Sequence, residues 1–237
     1  MAVSIKQVAL KTIALEANSV SGLASYINDD FEKAVTAIAS GKGRVVVSGI
    51  GKSAVIAQKI VATFNSTGTP SIFMHAADAI HGDLGMIQSE DIILLISKSG
   101  DSPEIKVLLP LIKNFGNTLI GMAGNIHSYL AKHCDILLNT TVEKEACPNN
   151  LAPTTSTTAQ MVMGDALALA VLRARGFKPS DYAKRHPAGA IGRALLLRVG
   201  DIMRTGERNA VARETLSVRD SLLVMTQAKS GSLSVIN

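Results

Sequence analysis

Three hydroxyls fall within six residues, Ser97-Lys98-Ser99-Gly100-Asp101-Ser102, between an apolar run and a pattern of helical period. Ahead of them, Asp91-Ile92-Ile93-Leu94-Leu95-Ile96 has the uninterrupted apolar character of a buried strand, and behind them residues 104–115 carry apolar side chains at helical spacing. A strand, a hydroxyl-rich turn and a helix start make a phosphate cradle. The first amides of a helix lack intrahelical acceptors, and the positive end of its dipole favours an anion. Ser97, Ser99 and Ser102 can donate to the oxygens of such an anion, and Gly100 permits close backbone approach. An ordinary serine-capped helix has the same local signature, so this loop alone does not decide between the two.

A second loop of this kind occurs earlier. The β-rich run at 43–48 leads into Gly49-Ile50-Gly51-Lys52-Ser53 and then a helical pattern to about residue 67. The four residues that a P-loop places between its first glycine and its Gly-Lys pair are missing, which disfavours ATP. What remains is a small anion site with Gly51 and Ser53 at the turn and Lys52 as its cation.

Positioning two such loops requires a scaffold, and the chain alternates accordingly. Helical patterns at 5–27 and 31–39 come first, the second behind a capping stretch Asn28-Asp29-Asp30. Strand patterns at 44–48, 71–75, 92–97, 118–123 and 136–140 then alternate with helical ones at 54–64, 104–115 and 128–133. Near-continuous apolar strands alternating with helices predict an α/β fold, a five-stranded parallel sheet flanked by helices on both faces. Ligands of such sheets bind beyond the carboxyl ends of the strands, where both loops begin. A long apolar helix is expected over 155–175. It opens on Thr154-Thr155-Ser156-Thr157-Thr158, either a generous cap or the lining of the same pocket, and Met161 and Met163 read as core.

Composition narrows the function classes. With 237 residues, 47% hydrophobic and 18% charged, the chain suits one large domain or one domain plus a fragment. The run 161–172 is the nearest to a membrane span, and Asp165 interrupts it. Lys6, Lys11 and Glu16 break any signal-peptide pattern, and Cys134 and Cys147 have neither metal-ligand nor redox spacing. A cytoplasmic protein with reduced thiols and no membrane partner is expected. The net charge of +5 is C-terminal: residues 172–219 hold eleven Lys/Arg against four Asp/Glu. With 3% aromatics there is little for base stacking, so nucleic acid is not expected as a partner. The basic excess reads as a solvated face, or as a steering field for anionic substrates.

The loops belong to an ordered series: Gly49-Ile50-Gly51-Lys52-Ser53, Ser66-Thr67-Gly68-Thr69-Pro70, His81-Gly82-Asp83-Leu84-Gly85, the serine loop, Lys144-Glu145-Ala146-Cys147-Pro148, Leu151-Ala152-Pro153-Thr154 and His186-Pro187-Ala188-Gly189. In this order and spacing they resemble the sugar isomerase (SIS) domain family and, more narrowly, its arabinose-5-phosphate isomerases, over 1–195. The resemblance implies a doubly wound, flavodoxin-like sheet and interconversion of D-ribulose 5-phosphate and D-arabinose 5-phosphate for the acid sugar Kdo of lipopolysaccharide or capsule. Two alternatives stay open: an isomerase of another sugar phosphate, or a non-catalytic SIS sensor.

Moving a proton between adjacent carbons through an enediolate needs a base, a shuttle for the hydroxyl proton and donors for the oxyanion. By the resemblance, Lys52, Glu104, Glu145 and His186 are the catalytic group, with Glu145 the favoured base and Glu104 its competitor. Gly51, Ser53, His81, Ser97, Ser99, Ser102 and Thr154 are the substrate- and phosphate-binding residues. No cofactor or metal is implied, since His81, His186 and Cys147 are scattered. The resemblance also implies a homo-oligomer, a tetramer built through the N-terminal helix, with His186 reaching a neighbouring subunit's site. From residue 196 the pattern resembles the opening half of a CBS (cystathionine-β-synthase) repeat, and 196–237 is read as a truncated regulatory domain.

Overall fold

Apolar runs with strong β propensity form the centre of the protein. Its computed structural model describes residues 4–186, 189, 192, 194, 195 and 197–237. Strands β1 (Val45–Gly49), β2 (Ser71–His75), β3 (Ile92–Ser97), β4 (Leu119–Ala123) and β5 (Ile136–Asn139) form one sheet in the order β2-β1-β3-β4-β5. Every pairing is parallel. The helices of this unit are α1 (Ile5–Gly22), α2 (Asp29–Ser40), α3 (Lys52–Ser66), α4 (Ala76–Ala79), α5 (Pro103–Asn114), α6 (Tyr129–His133), α7 (Thr155–Ala174) and α8 (Pro179–Arg185).

The two-residue period of the strands feeds two cores. Val45, Val47, Leu94 and Ile96 pack with residues of α2, α3 and α7, whereas Val46, Ile93 and Leu95 pack with α4, α5 and α6. Both faces of the sheet are therefore covered, as near-continuous apolar strands require. The first helix stops earlier than its pattern predicts. After Gly22 the chain tightens into a 3-10 turn, Leu23–Tyr26, held by the Ser25 hydroxyl on the Gly22 carbonyl at 2.8 Å.

Two contacts set the sheet and its long helix in place. At the amino edge, buried Asp91 accepts hydrogen bonds from the Arg44 amide (2.8 Å), its Nε (3.2 Å) and Nη2 (2.7 Å), and from the Gln88 amide (3.0 Å). Across the other core α3 lies against α7, where a Cβ on Gly164 would come within 2.3 Å of Ile60 Cδ1. Asp165, the polar interruption of the apolar run, pairs there with Lys59. This side-by-side packing brings the first turns of α3 and α7 together, and the Ser53 hydroxyl donates to Gln160 Oε1 at 3.1 Å.

Residues beyond His186 form a second compact unit. It contains α9 (Val199–Ile202), then β6 (Val211–Arg213), α10 (Val218–Gln227) and β7 (Ser234–Ile236), with β6 and β7 parallel. On these elements Val218, Leu222, Leu223, Val235 and Ile236 are exposed. The division falls between 186 and 187, earlier than the 195/196 boundary read from the sequence, and Leu196 lies outside the described residues. Among the described residues no helix is long and apolar enough to cross a membrane.

Removing the Asp91 carboxylate leaves the Arg44 and Gln88 amides without their acceptor and the Arg44 guanidinium with only the Met86 carbonyl. Asp91→Ala is expected to lower the unfolding free energy by roughly 1.5–3 kcal/mol, measured by urea denaturation.

Candidate functional site

In the order β2-β1-β3-β4-β5, β1 and β3 are neighbours whose connections leave in opposite directions, which opens a crevice at their carboxyl ends. A cavity of about 240 Å³ occupies this place. Ile50, Lys52 and Ser53 line it from the loop after β1, Ser97, Lys98, Ser99 and Ser102 from the loop after β3, and Pro153, Ser156 and Thr157 from the start of α7. A larger groove of about 470 Å³ lies between α1 and residues 141–144, but neither anion loop reaches it.

The serine loop is held in a shape that only its sequence allows. Gly100 has φ +66°, and a Cβ there would sit 2.1 Å from Ser128 Oγ. The Gly100 amide donates to Ser97 Oγ (3.0 Å) and the Asp101 amide to Ser99 Oγ (3.3 Å), which leaves both hydroxyl protons for a ligand. Ser102, the N-cap of α5, lines the cavity, and its buried hydroxyl has no hydrogen-bond partner among the described residues. A buried unpartnered donor costs about 1–3 kcal/mol, a cost that a bound anion oxygen would remove. Pro103 opens the helix without wasting an amide. In the other loop Gly51 caps α3 at φ +58°, a left-handed conformation suited to glycine, and Lys52 begins the helix.

Glu145 lies behind the cavity wall with its side chain 0% exposed. Its Oε1 accepts the Ser156 hydroxyl at 2.5 Å and faces Lys98 Nζ at 2.6 Å. Its Oε2 accepts the Thr154 amide (2.8 Å), the Thr154 hydroxyl (3.2 Å) and the Ser156 amide (3.1 Å). Burial alone would raise the pKa of this carboxyl; Lys98, the Ser156 hydroxyl and the two amides outweigh it and hold the pKa at about 2. Four hydrogen bonds and one ion pair surround this single carboxylate. In this arrangement Glu145 presents no open lone pair, whereas the base role read for it from the sequence needs one directed at the substrate carbon.

Not all of the other expected residues line the cavity. Thr154 is turned into the Glu145 clamp and also accepts from the Ala146 amide at 3.0 Å, so Ser156 and Thr157, not Thr154, line the cavity. His81 is exposed on the turn after α4 and does not line it. Glu104, in the first turn of α5, is half-buried and has no hydrogen bond or ion pair among the described residues. His186 caps α8, its ring stacked on Tyr182 at 4.1 Å. The neighbouring Arg185 lies over the Phe177 ring, and Phe177 packs on Gly68, in the turn between α3 and β2. That turn is at the amino edge of the sheet. The twenty residues of α7 span about 30 Å and separate it from the cavity. Pro187 and Ala188 of the same motif lie outside the described residues. The sequence reading did not single out Lys98 or Gln160, although Lys98 stands inside the serine motif.

Because its folded pKa is depressed, Glu145 stabilises the protein fully above its ordinary value of 4.5, and that contribution is lost as pH falls toward about 2. The difference corresponds to roughly 3 kcal/mol. The gap in unfolding free energy between wild type and Glu145→Gln is thus expected to narrow steadily from about pH 5 to pH 2 in denaturant titrations.

Comparison with known proteins agrees with this architecture. The SIS domain model matches residues 38–170. The arabinose 5-phosphate isomerase KdsD of Pseudomonas aeruginosa is 51% identical over 229 residues, 97% of this chain and 70% of that protein. The enzyme of the same name from Escherichia coli K12 is 48% identical over 226 residues, 95% of this chain and 69% of that protein. Among solved structures, Escherichia coli CFT073 c3406 in complex with arabinose 5-phosphate aligns with TM-score 0.74 and 39% identity, over 77% of this chain and 97% of that one. With both anion loops inside the matched region and half of its residues shared with these relatives, the chain belongs to the SIS domain family and, within it, to the arabinose 5-phosphate isomerases.

Proposed function

We propose that the chain interconverts D-ribulose 5-phosphate and D-arabinose 5-phosphate, the pentose phosphate that enters Kdo and with it lipopolysaccharide or capsule. The observation that carries this reading is the switch-point cavity, where the unpartnered Ser102 hydroxyl, four further serines and Lys52 converge. In the proposed complex the phosphate sits on the serine loop and the α5 N-terminus, with the sugar carbons extending along the crevice.

The chemistry runs through an enediolate. In the aldose-to-ketose direction a base removes the proton on C2 and returns it to C1, while the O2 proton leaves and O1 gains one. We assign the base to Glu104, whose carboxylate has open lone pairs, in place of Glu145. Lys52 is assigned to the phosphate or the developing oxyanion. Ring opening and the hydroxyl proton fall to His186. Since His186 stands at the amino edge of its own sheet, it would act on the cavity of a neighbouring subunit, which makes the active species a homo-oligomer. Exposed Ile5, Val8, Leu10 and Ile13 on α1, a helix without buried residues, support an interface there and the tetramer read from the sequence. For 196–237 the proposal is the opening half of a CBS repeat, as read from the sequence; the β6-α10-β7 unit supports it.

The direct test is NMR of ribulose 5-phosphate incubated with the protein in D2O. Formation of arabinose 5-phosphate bearing deuterium at C2 is expected; binding without conversion or exchange would instead mark a sensor. Glu104→Gln is expected to lower kcat by about 10²–10⁴-fold with little change in KM. Mixing inactive Glu104→Gln and His186→Ala chains under conditions of subunit exchange is expected to restore about a quarter of the sites. No recovery would show that the two residues serve one site from the same chain.

A further inference from the structure

The Glu145 clamp fixes more than the start of α7. Its Oε1 lies 2.6 Å from Lys98 Nζ, and the Lys98 side chain is 46% exposed at the cavity. An ammonium has three donors; one faces Glu145 and two remain. Lys98 leaves the chain at the serine loop, yet Glu145 draws its ammonium across to the α7 wall, beside Ser156 and Thr157. The serine loop has donors enough for an ester group of its own, namely Ser97, Ser99, the unpartnered Ser102 and the first amides of α5. In the proposed complex, with the phosphate on the serine loop, the displaced ammonium is left to the sugar's oxygen-bearing carbons.

We infer that Lys98 is a catalytic residue that donates to the C1–C2 oxygens as the enediolate forms, and that Glu145 is a positioning residue acting through Lys98. This inference rests on the proposed isomerase reading. A preorganised cation whose partner is fixed and buried needs no reorganisation as charge develops on the substrate, the condition under which such a donor contributes most. Glu145 meets that condition: the Thr154 and Ser156 donors lock its carboxylate, so its position does not depend on Lys98 or on substrate. The electrostatics follow the same logic. The Glu145 carboxylate, its pKa held at about 2, stays charged at working pH, tethers the Lys98 ammonium at 2.6 Å and partly offsets its charge, so that Lys98 stabilises developing charge without trapping a second dianion.

The test is a double-mutant cycle with ribulose 5-phosphate, using Lys98→Met, Glu145→Gln and the pair, each checked for folding by circular dichroism and thermal midpoint. Wild-type turnover must be present first; its absence would defeat the isomerase reading and leave nothing to measure in the cycle. Lys98→Met is expected to reduce kcat by about 10²–10³-fold with KM nearly unchanged. The pair is expected to match Lys98→Met alone within about threefold, since the carboxylate acts through the ammonium. The acid limb of the kcat–pH profile should persist in Glu145→Gln, because the titrating base lies elsewhere. The inference is overturned by full kcat in Lys98→Met, by a rise in KM alone, by a further tenfold or greater loss on adding Glu145→Gln to Lys98→Met, or by disappearance of the acid limb. Lys98 is half exposed and outside both cores, so its variant keeps the question answerable if Glu145→Gln fails to fold.

Discussion

A carboxylate with no exposed surface is tolerated only where its charge is answered from all sides. Glu145 is answered by three segments: its own loop, through Thr154; the first turn of α7, through Ser156; and the loop after β3, through Lys98. Burying such a charge without partners costs several kcal/mol, a cost that the donors of the three segments offset together. The cavity wall is consequently cooperative. Ser156 and Thr157 are not placed by loose loop packing but by the demand that Glu145 be saturated. A pocket built this way arrives at its substrate already assembled, with little ordering entropy left to lose on binding.

The same interaction divides the cavity electrostatically. Three helix N-termini converge there: Lys52 opens α3, Ser102 caps α5 and Thr154 caps α7. Each presents the positive end of a dipole. At α7 the Glu145 carboxylate takes up the first amides and cancels most of that field. The α3 and α5 ends keep theirs, and they flank the serines. A phosphate dianion is therefore favoured on the α3–α5 side, and a less charged polyol fits the α7 side. The sheet order imposes this division, because the β1 and β3 ends carry the two loops while the long return through α7 closes the crevice from outside.

What could be read from the chain follows from how local each signal is. The strands, both anion loops and α7 were legible because apolar period and turn composition are properties of a few consecutive residues. The hydroxyl excess at the start of α7 was legible as well, but not its division of labour: Thr154 and Ser156 face a glutamate nine and eleven residues upstream, and that pairing depends on the folded path of the loop. Lys98 was passed over for a related reason. Inside a serine loop it looks like a solvated cation until Glu145, 47 residues later, draws it to the opposite wall. Glu145 itself was visible as a site residue while its role was not, since the number of donors around a carboxylate is a tertiary fact. The Arg44–Asp91 anchor was hidden in the same manner, as two charged ends of strand patterns that do not touch until the sheet forms.

His186 brings the geometry to its most restrictive consequence. Its ring is not on a flexible tether: stacking on Tyr182 and the bond geometry of the α8 end hold it, and α8 is braced through Arg185, Phe177 and Gly68 against the amino edge of the sheet. Bringing that ring to its own cavity would require detaching α8 and carrying it the length of α7, about 30 Å, at the cost of those contacts. Bringing a second copy alongside requires none of this and covers apolar surface at the same time. If His186 acts in the reaction at all, symmetry is the less expensive route, and the two ends of one protomer then belong to two different sites. On the role proposed for His186, the position of α8 ties acid–base chemistry to assembly, and a surface change far from every cavity residue would then alter turnover by moving the neighbour's histidine.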